Sequence, residues 1–176
     1  MAKRAISTFS FLVAAVLTLT FAADLASAAA VNIVALGASN TAGYGVGSNE
    51  AWPARLQAML GAKGYQATVA NAGISGDTTA GMLARLDSAV SNGTQIVVYA
   101  IYNYNDARNG ISPAEHAANV QKILSRLHAR GIRTISAAQY FNGLPRQSDG
   151  IHLTAEGHAQ FAARLLPEVI VAIGHH

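Results

Sequence analysis

A serine, an aspartate and a histidine in this chain have the types and spacing that nucleophilic chemistry would use. Ser39 comes just after an apolar run, residues 31–36, and Gly37. Asp149 stands three residues before His152 in the stretch SDGIH. A serine hydroxyl is a weak nucleophile at neutral pH. It needs a base to accept its proton and donors to hold the oxyanion that forms. The Asp-x-x-His spacing lets one turn of chain set the carboxylate against one ring nitrogen, leaving the other nitrogen for the serine. Taken alone, the pair fits a turn followed by a helix cap equally well. His116 and His128 fall in a helical pattern, where a solvated face accounts for them, and His158 falls in the last predicted helix. His175 and His176 form the tail.

Two other segments could supply donors. Residues 71–77, NAGISGD, offer backbone N–H groups with little side chain in the way, although an ordinary Gly-rich turn has the same composition. Asn103-Tyr104-Asn105-Asp106 could present the Asn105 amide or could form an Asx turn.

Strands are predicted at 31–36, 66–70, 95–101 and 133–138, alternating with helices at 51–63, 78–91, 113–130 and 154–173. The first and third strands are almost wholly apolar, as parallel strands covered on both faces are. Val120, Ile123, Leu124 and Leu127 keep helical spacing, with Ser112 as a cap, Pro113 in the first turn and Gly131 past the end. Phe161, Leu165, Val169 and Ala172 would line the inner face of the last helix. Alternation of this kind gives one three-layer α/β domain over residues 31–176, with its chemistry on the loops at the carboxyl ends of the strands.

Among 176 residues, 51% are hydrophobic and 12% charged, with a net charge of +3. This is a globular composition. No run of Lys or Arg points to nucleic acid. Residues 1–30 read as a signal peptide. Lys3 and Arg4 begin it, an apolar stretch at 9–23 is short for a membrane span, and small-x-small sites follow at 26–28 and 28–30. The expectation is export, to the periplasm or beyond, with no stable membrane anchor after cleavage. The chain has no cysteine, hence no disulfide and no thiolate metal site. The oligomeric state is not written in the sequence.

Four blocks, in order, resemble the SGNH/GDSL hydrolase superfamily, in its small secreted arylesterase and lysophospholipase-like branch. They are Gly37-Ala38-Ser39-Asn40-Thr41-Ala42-Gly43, Asn71-Ala72-Gly73, Asn105-Asp106 and Asp149-Gly150-Ile151-His152-Leu153. The resemblance implies a flavodoxin-like fold with sheet order 2-1-3-4. It implies Ser39 as nucleophile, His152 as base and then acid, and Asp149 as its orienting partner. It also implies oxyanion donors from the N–H of Ser39, the N–H of Gly73 and the side chain of Asn105. The implied reaction is hydrolysis of a small-molecule ester through an acyl-enzyme, without metal or organic cofactor.

The chain departs from that pattern in three places. Ala38 replaces the aspartate of the name-giving GDSL form. Asn103 stands where glycine is usual. Only residues 136–148 separate the fourth strand from Asp149, which predicts four strands and a shallow, open site. Tyr102, Tyr104, Tyr140 and Phe141 could form an apolar shelf for an acyl or aryl group, or could belong to the core. Two alternatives use the same scaffold: a carbohydrate O-deacetylase, and a catalytically impaired binding protein. A nucleotide site is disfavoured because residues 37–45 lack the G-x-G-x-x-G spacing.

Overall fold

The computed structural model describes residues 30–174. Apart from Ala30, the predicted signal peptide lies outside the described residues, as do His175 and His176. Four strands, β1 (Val31–Gly37), β2 (Ala67–Gly73), β3 (Ile96–Ala100) and β4 (Arg133–Ser136), form one parallel sheet in the order β2-β1-β3-β4. The fold is the flavodoxin-like one, with helices on both faces.

The central strand explains the layers. Side chains alternate across a strand. Ile33 and Ala35 therefore enter one core, with Trp52, Leu56 and Leu60 of α2 (Trp52–Ala62) and with Phe161, Leu165 and Val169 of α7 (Ala155–Ile173). Val34 and Leu36 enter the other. There they meet Met82 of α3 (Thr79–Ala84), Leu86 of α4 (Leu86–Ala89), and Ile123 and Leu127 of α6 (Pro113–Ala129). Each such leucine, fully buried, contributes about 1.5–3 kcal/mol. The predicted inner face of α7 is buried throughout, and Ser112 and Thr154 cap α6 and α7 through Glu115 N–H and Gly157 N–H. On α6, Ile123 and Leu127 are fully buried, whereas Val120 and Leu124 are half-buried.

Several boundaries differ from the sequence-based prediction. The strand predicted at 66–70 continues through Asn71-Ala72-Gly73, because Ala72 pairs with Leu36 and Gly73 with Gly37. The helix predicted at 78–91 is two short helices meeting at Arg85. Two short helices were not predicted, α1 (Ser39–Ala42) and α5 (Tyr104–Arg108).

The register sets the working edge. Gly37 is flanked by Gly73 and Ala100, so the segments carrying Ser39, Ile74 and Tyr102 leave the sheet side by side. Gly37 and Gly73 are required there by proximity. A Cβ on Gly37 would lie 2.2 Å from Thr41 Oγ1, and one on Gly73 would lie 2.2 Å from Ala42 N. Bare backbone at both points lets α1 fold back over the strand ends. No helix among the described residues is long and apolar enough to cross a membrane.

Candidate active site

Ser39 opens α1, directly beyond the buried end of β1. It lines a groove of about 320 Å³ together with His152, Asn105 and Tyr104. Tyr44, Ser75, Gly76, Arg108 and Ile151 complete the walls. A smaller recess of about 50 Å³ behind Ser39 is bounded by Ala38, Asn40, Tyr102 and Tyr104.

His152 and Asp149 form a tight pair, with ring Nδ1 2.6 Å from Asp149 Oδ2. The other carboxylate oxygen accepts the backbone N–H groups of Ile151 at 2.8 Å and His152 at 3.0 Å. The bond from the His152 ring, followed by these two, holds the Asp149 carboxyl down at about 2. With Nδ1 bound to the carboxylate, the ring's Nε2 has no protein partner among the described residues. The Ser39 hydroxyl likewise has none.

The loop that carries the pair is fastened from several sides. Gln147 N–H donates to His152 O at 2.7 Å, and its side-chain amide donates to Tyr44 O and Leu153 O, both at 2.9 Å. Arg146 Nη1 donates to Gly150 O at 3.2 Å. The Tyr44 ring lies 4.4 Å from the His152 ring, centroid to centroid. Asn40, next to the serine, grips the chain on either side of His152. Its Oδ1 accepts Leu153 N–H at 2.9 Å and its Nδ2 donates to Ile151 O at 3.2 Å.

The two other donors implied by the resemblance are engaged within the chain. Asn105 lines the groove, and one hydrogen of its amide goes to Asp77 O at 2.8 Å, leaving the second. Gly73 N–H donates to Asn71 Oδ1 at 2.9 Å, and Gly73 does not line the groove. Arg85 braces this side. It pairs with Asp77 at 2.8 Å and reaches Ala72 O at 2.9 Å and Gly37 O at 3.4 Å. This inward reach accompanies the break between α3 and α4.

The aromatic shelf divides. Tyr102 and Tyr104 stand beside Ser39. Phe141 is buried between Tyr102 and Phe161, and Tyr140 bonds Glu168 at 2.7 Å, so both belong to the packing around α7. Burial pushes the Tyr102 hydroxyl's pKa up, opposed in part by Arg146.

One histidine differs from its sequence reading. His116 is paired, with Nδ1 2.8 Å from the buried carboxylate of Asp106. Burial pushes Asp106 up, but hydrogen bonds from Thr79 and His116 outweigh it and hold the carboxyl below its usual range. Asp106 thereby ties α5, which carries Asn105, to α3 and α6. His158 is wholly buried, and its Nδ1 accepts Trp52 N–H at 3.3 Å. Desolvation, partly offset by Glu50, pushes it down to about 4.

Residues 35–149 match the GDSL-like lipase/acylhydrolase family. This chain belongs to that family. Among relatives of this chain, esterase TesA of Pseudomonas aeruginosa is 34% identical over 108 residues, covering 61% of this chain and 54% of the relative. An arylesterase of Vibrio mimicus is 34% identical over 119 residues, covering 68% and 60%. The chain thus spans about half the length of the curated relatives it matches. The crystal structure of TesA superposes with a TM-score of 0.71 at 25% identity, covering 80% of this chain and 99% of that one. AlinE4, described as an SGNH-hydrolase family esterase, gives 0.57 at 29% identity, covering 80% and 72%.

Tyr44, Arg108 and Ile151 were missed by sequence reasoning. Tyr44 follows the first motif block and Ile151 lies inside the fourth, a local signal that was available. Arg108 had none, since α5 lacks an apolar period.

Proposed function

We propose that this SGNH hydrolase is an exported serine esterase acting on small or lipid-like carboxylic esters through an acyl-enzyme. The observation that carries this is an aspartate-backed imidazole, with Nδ1 2.6 Å from Asp149 Oδ2, lining the same groove as Ser39. Ser39 Oγ attacks the ester carbonyl carbon while His152 Nε2 takes its proton. Asp149 fixes the ring tautomer and stabilises the imidazolium. The carbonyl oxygen becomes an oxyanion held by Ser39 N–H and the free Asn105 amide hydrogen. Gly73 N–H joins them once it shares or releases Asn71 Oδ1. Collapse expels the alcohol, which receives the proton from Nε2. Water then attacks the acyl-enzyme with His152 as base again, releasing the acid and restoring Ser39.

The names of the relatives, esterase and arylesterase, support this class of substrate. Burial of Trp52, the one tryptophan, removes it as a sugar platform and weighs against a carbohydrate O-deacetylase. The basic start and apolar stretch of residues 1–23 support export. The committed Gly73 N–H favours a second reading, an impaired binding scaffold.

One experiment separates the two. Purified protein is assayed on p-nitrophenyl esters from acetyl to palmitoyl and labelled with a fluorophosphonate. The expected result is turnover, with labelling at Ser39 that disappears in His152→Ala. Folded protein that neither turns over nor labels would establish the scaffold instead.

A further inference from the structure

Electric charge in the groove is unbalanced. Among the described residues, Arg108 is the only charged one lining it apart from His152. Among the described residues, the three acids carried by the same segments as the groove residues are engaged. Asp77 is held by Arg85 at 2.8 Å, Asp149 by His152 at 2.6 Å, and the buried Asp106 by Thr79 and His116. Among the described residues no acid pairs with Arg108. Its polar contact is Tyr104 Oη, 3.3 Å from Nη1, and its guanidinium carbon lies 5.7 Å from the centroid of that ring. Both residues stand on α5 at i and i+4, the spacing that stacks side chains one above the other. The tyrosine thus steadies the guanidinium at the groove wall and covers part of it from water.

The rim beside this cation is apolar. Among the described residues four large hydrophobic side chains are strongly exposed, and three sit here: Tyr44 at 53%, Tyr104 at 45% and Ile74 at 50%. Tyr44 and Tyr104 line the groove, and Ile74 adjoins Ser75, which does too. A lone uncompensated charge beside low-dielectric walls concentrates its field on whatever enters.

We propose that Arg108 forms an anion subsite, so that the groove takes amphiphilic esters: an apolar body on the tyrosine rim and a carboxylate or phosphate on the guanidinium. This rests on the esterase reading above. The anion could belong to the acyl part, as in a half-ester of a dicarboxylic acid, or to the alcohol part, as in an acylglycerol phosphate. The bidentate donors of Arg suit either group.

Two matched pairs of substrates test it, in the wild type, Arg108→Gln and Arg108→Glu. The first pair is p-nitrophenyl glutarate half-ester against p-nitrophenyl pentanoate. The second is decanoylglycerol phosphate against monodecanoylglycerol, below micelle-forming concentrations. The expected result is a fall of about 10-fold in the anionic-to-neutral ratio of kcat/KM in Arg108→Gln for at least one pair, larger in Arg108→Glu, with high salt shrinking the wild-type ratio. The pair that responds tells which end of the ester carries the charge. Ratios unchanged in both pairs, or anionic and neutral members falling together, overturn the subsite.

Decyl phosphate and decanol binding to Ser39→Ala, with and without Arg108→Gln, is measured by calorimetry and needs no turnover. Decyl phosphate weakened about 10-fold relative to decanol supports the subsite even if hydrolysis fails, and equal weakening overturns it.

Discussion

Replacing Asn40 by leucine, the fourth residue of the family's GDSL form, removes both hydrogen bonds that bracket His152 while keeping much of the side-chain volume. Two polar groups lose their partner: Leu153 N–H, bonded at 2.9 Å in a residue that is fully buried, and Ile151 O, bonded at 3.2 Å. A hydrogen bond is worth about 0.5–1.5 kcal/mol net, and a buried group left unpaired costs about 1–3 kcal/mol. A stability loss of about 2 kcal/mol follows, read as the shift in the urea midpoint. The sharper effect is on rate. Asn40 follows Ser39 directly in α1, so its side chain fixes the distance between the helix start that holds Ser39 and the loop that holds the imidazole. A displacement near 1 Å at a reacting group can cost about 10²-fold. Asn40→Leu is therefore expected to lower kcat for a p-nitrophenyl ester by about 10- to 100-fold with KM changed less than about 2-fold, and to slow fluorophosphonate labelling alike. Asn40→Asp keeps the acceptor for Leu153 N–H, loses the donor to Ile151 O and adds a negative charge beside His152. Its acid limb in kcat/KM should move to higher pH. If Asn40→Leu loses stability yet keeps its kcat and its labelling rate, Asn40 is merely structural, and the loop is positioned by Gln147 and Arg146 alone.

Two other perturbations have definite signs. Asp149→Asn should lower kcat on the order of 10³–10⁴-fold, because an amide N–H facing Nδ1 puts the proton on Nε2, where the serine needs an acceptor. In the wild type the Asp149 carboxyl is held at about 2. Its contribution to stability is complete above the ordinary carboxylate range and is lost as pH falls from there through about 2. His158 acts in the pH range above this one. It is pushed from 6.5 to about 4, so between those values the unfolded chain binds a proton that the folded chain refuses. Stability should drop as pH falls from 6.5 to 4, by about 3 kcal/mol, and level off below. His158→Asn, which leaves an acceptor for Trp52 N–H, should flatten that slope in urea titrations at successive pH values.

The apolar strands β1 and β3 and the capped helix α6 were legible because their signals are local: an unbroken hydrophobic run, a Ser-Pro start, a closing glycine. The four motif blocks were legible as types and spacing. What escaped depends on partners distant in sequence. Asn71-Ala72-Gly73 reads as a turn by composition, yet it is strand because β1 offers it a ladder. Tyr140 and Phe141 have the composition of a substrate shelf, but Phe161 and Glu168 claim them. His116 has the periodicity of a surface residue, and nothing local announces that Asp106 of α5 waits beside it. The bonds of Asn40 span 111 and 113 residues, beyond any window of periodicity.

That Asp149 and His152 share a single turn of chain separates two kinds of motion that many serine hydrolases mix. Swinging the loop outward carries proton acceptor and counter-charge together, like a jaw whose teeth stay aligned, so the ring keeps its tautomer through the excursion. Only the gap to the seryl oxygen would change. Changes that lengthen or stiffen the hinge on either side of that turn would thus tune how often the jaw is shut, leaving the chemistry of a closed encounter as it was.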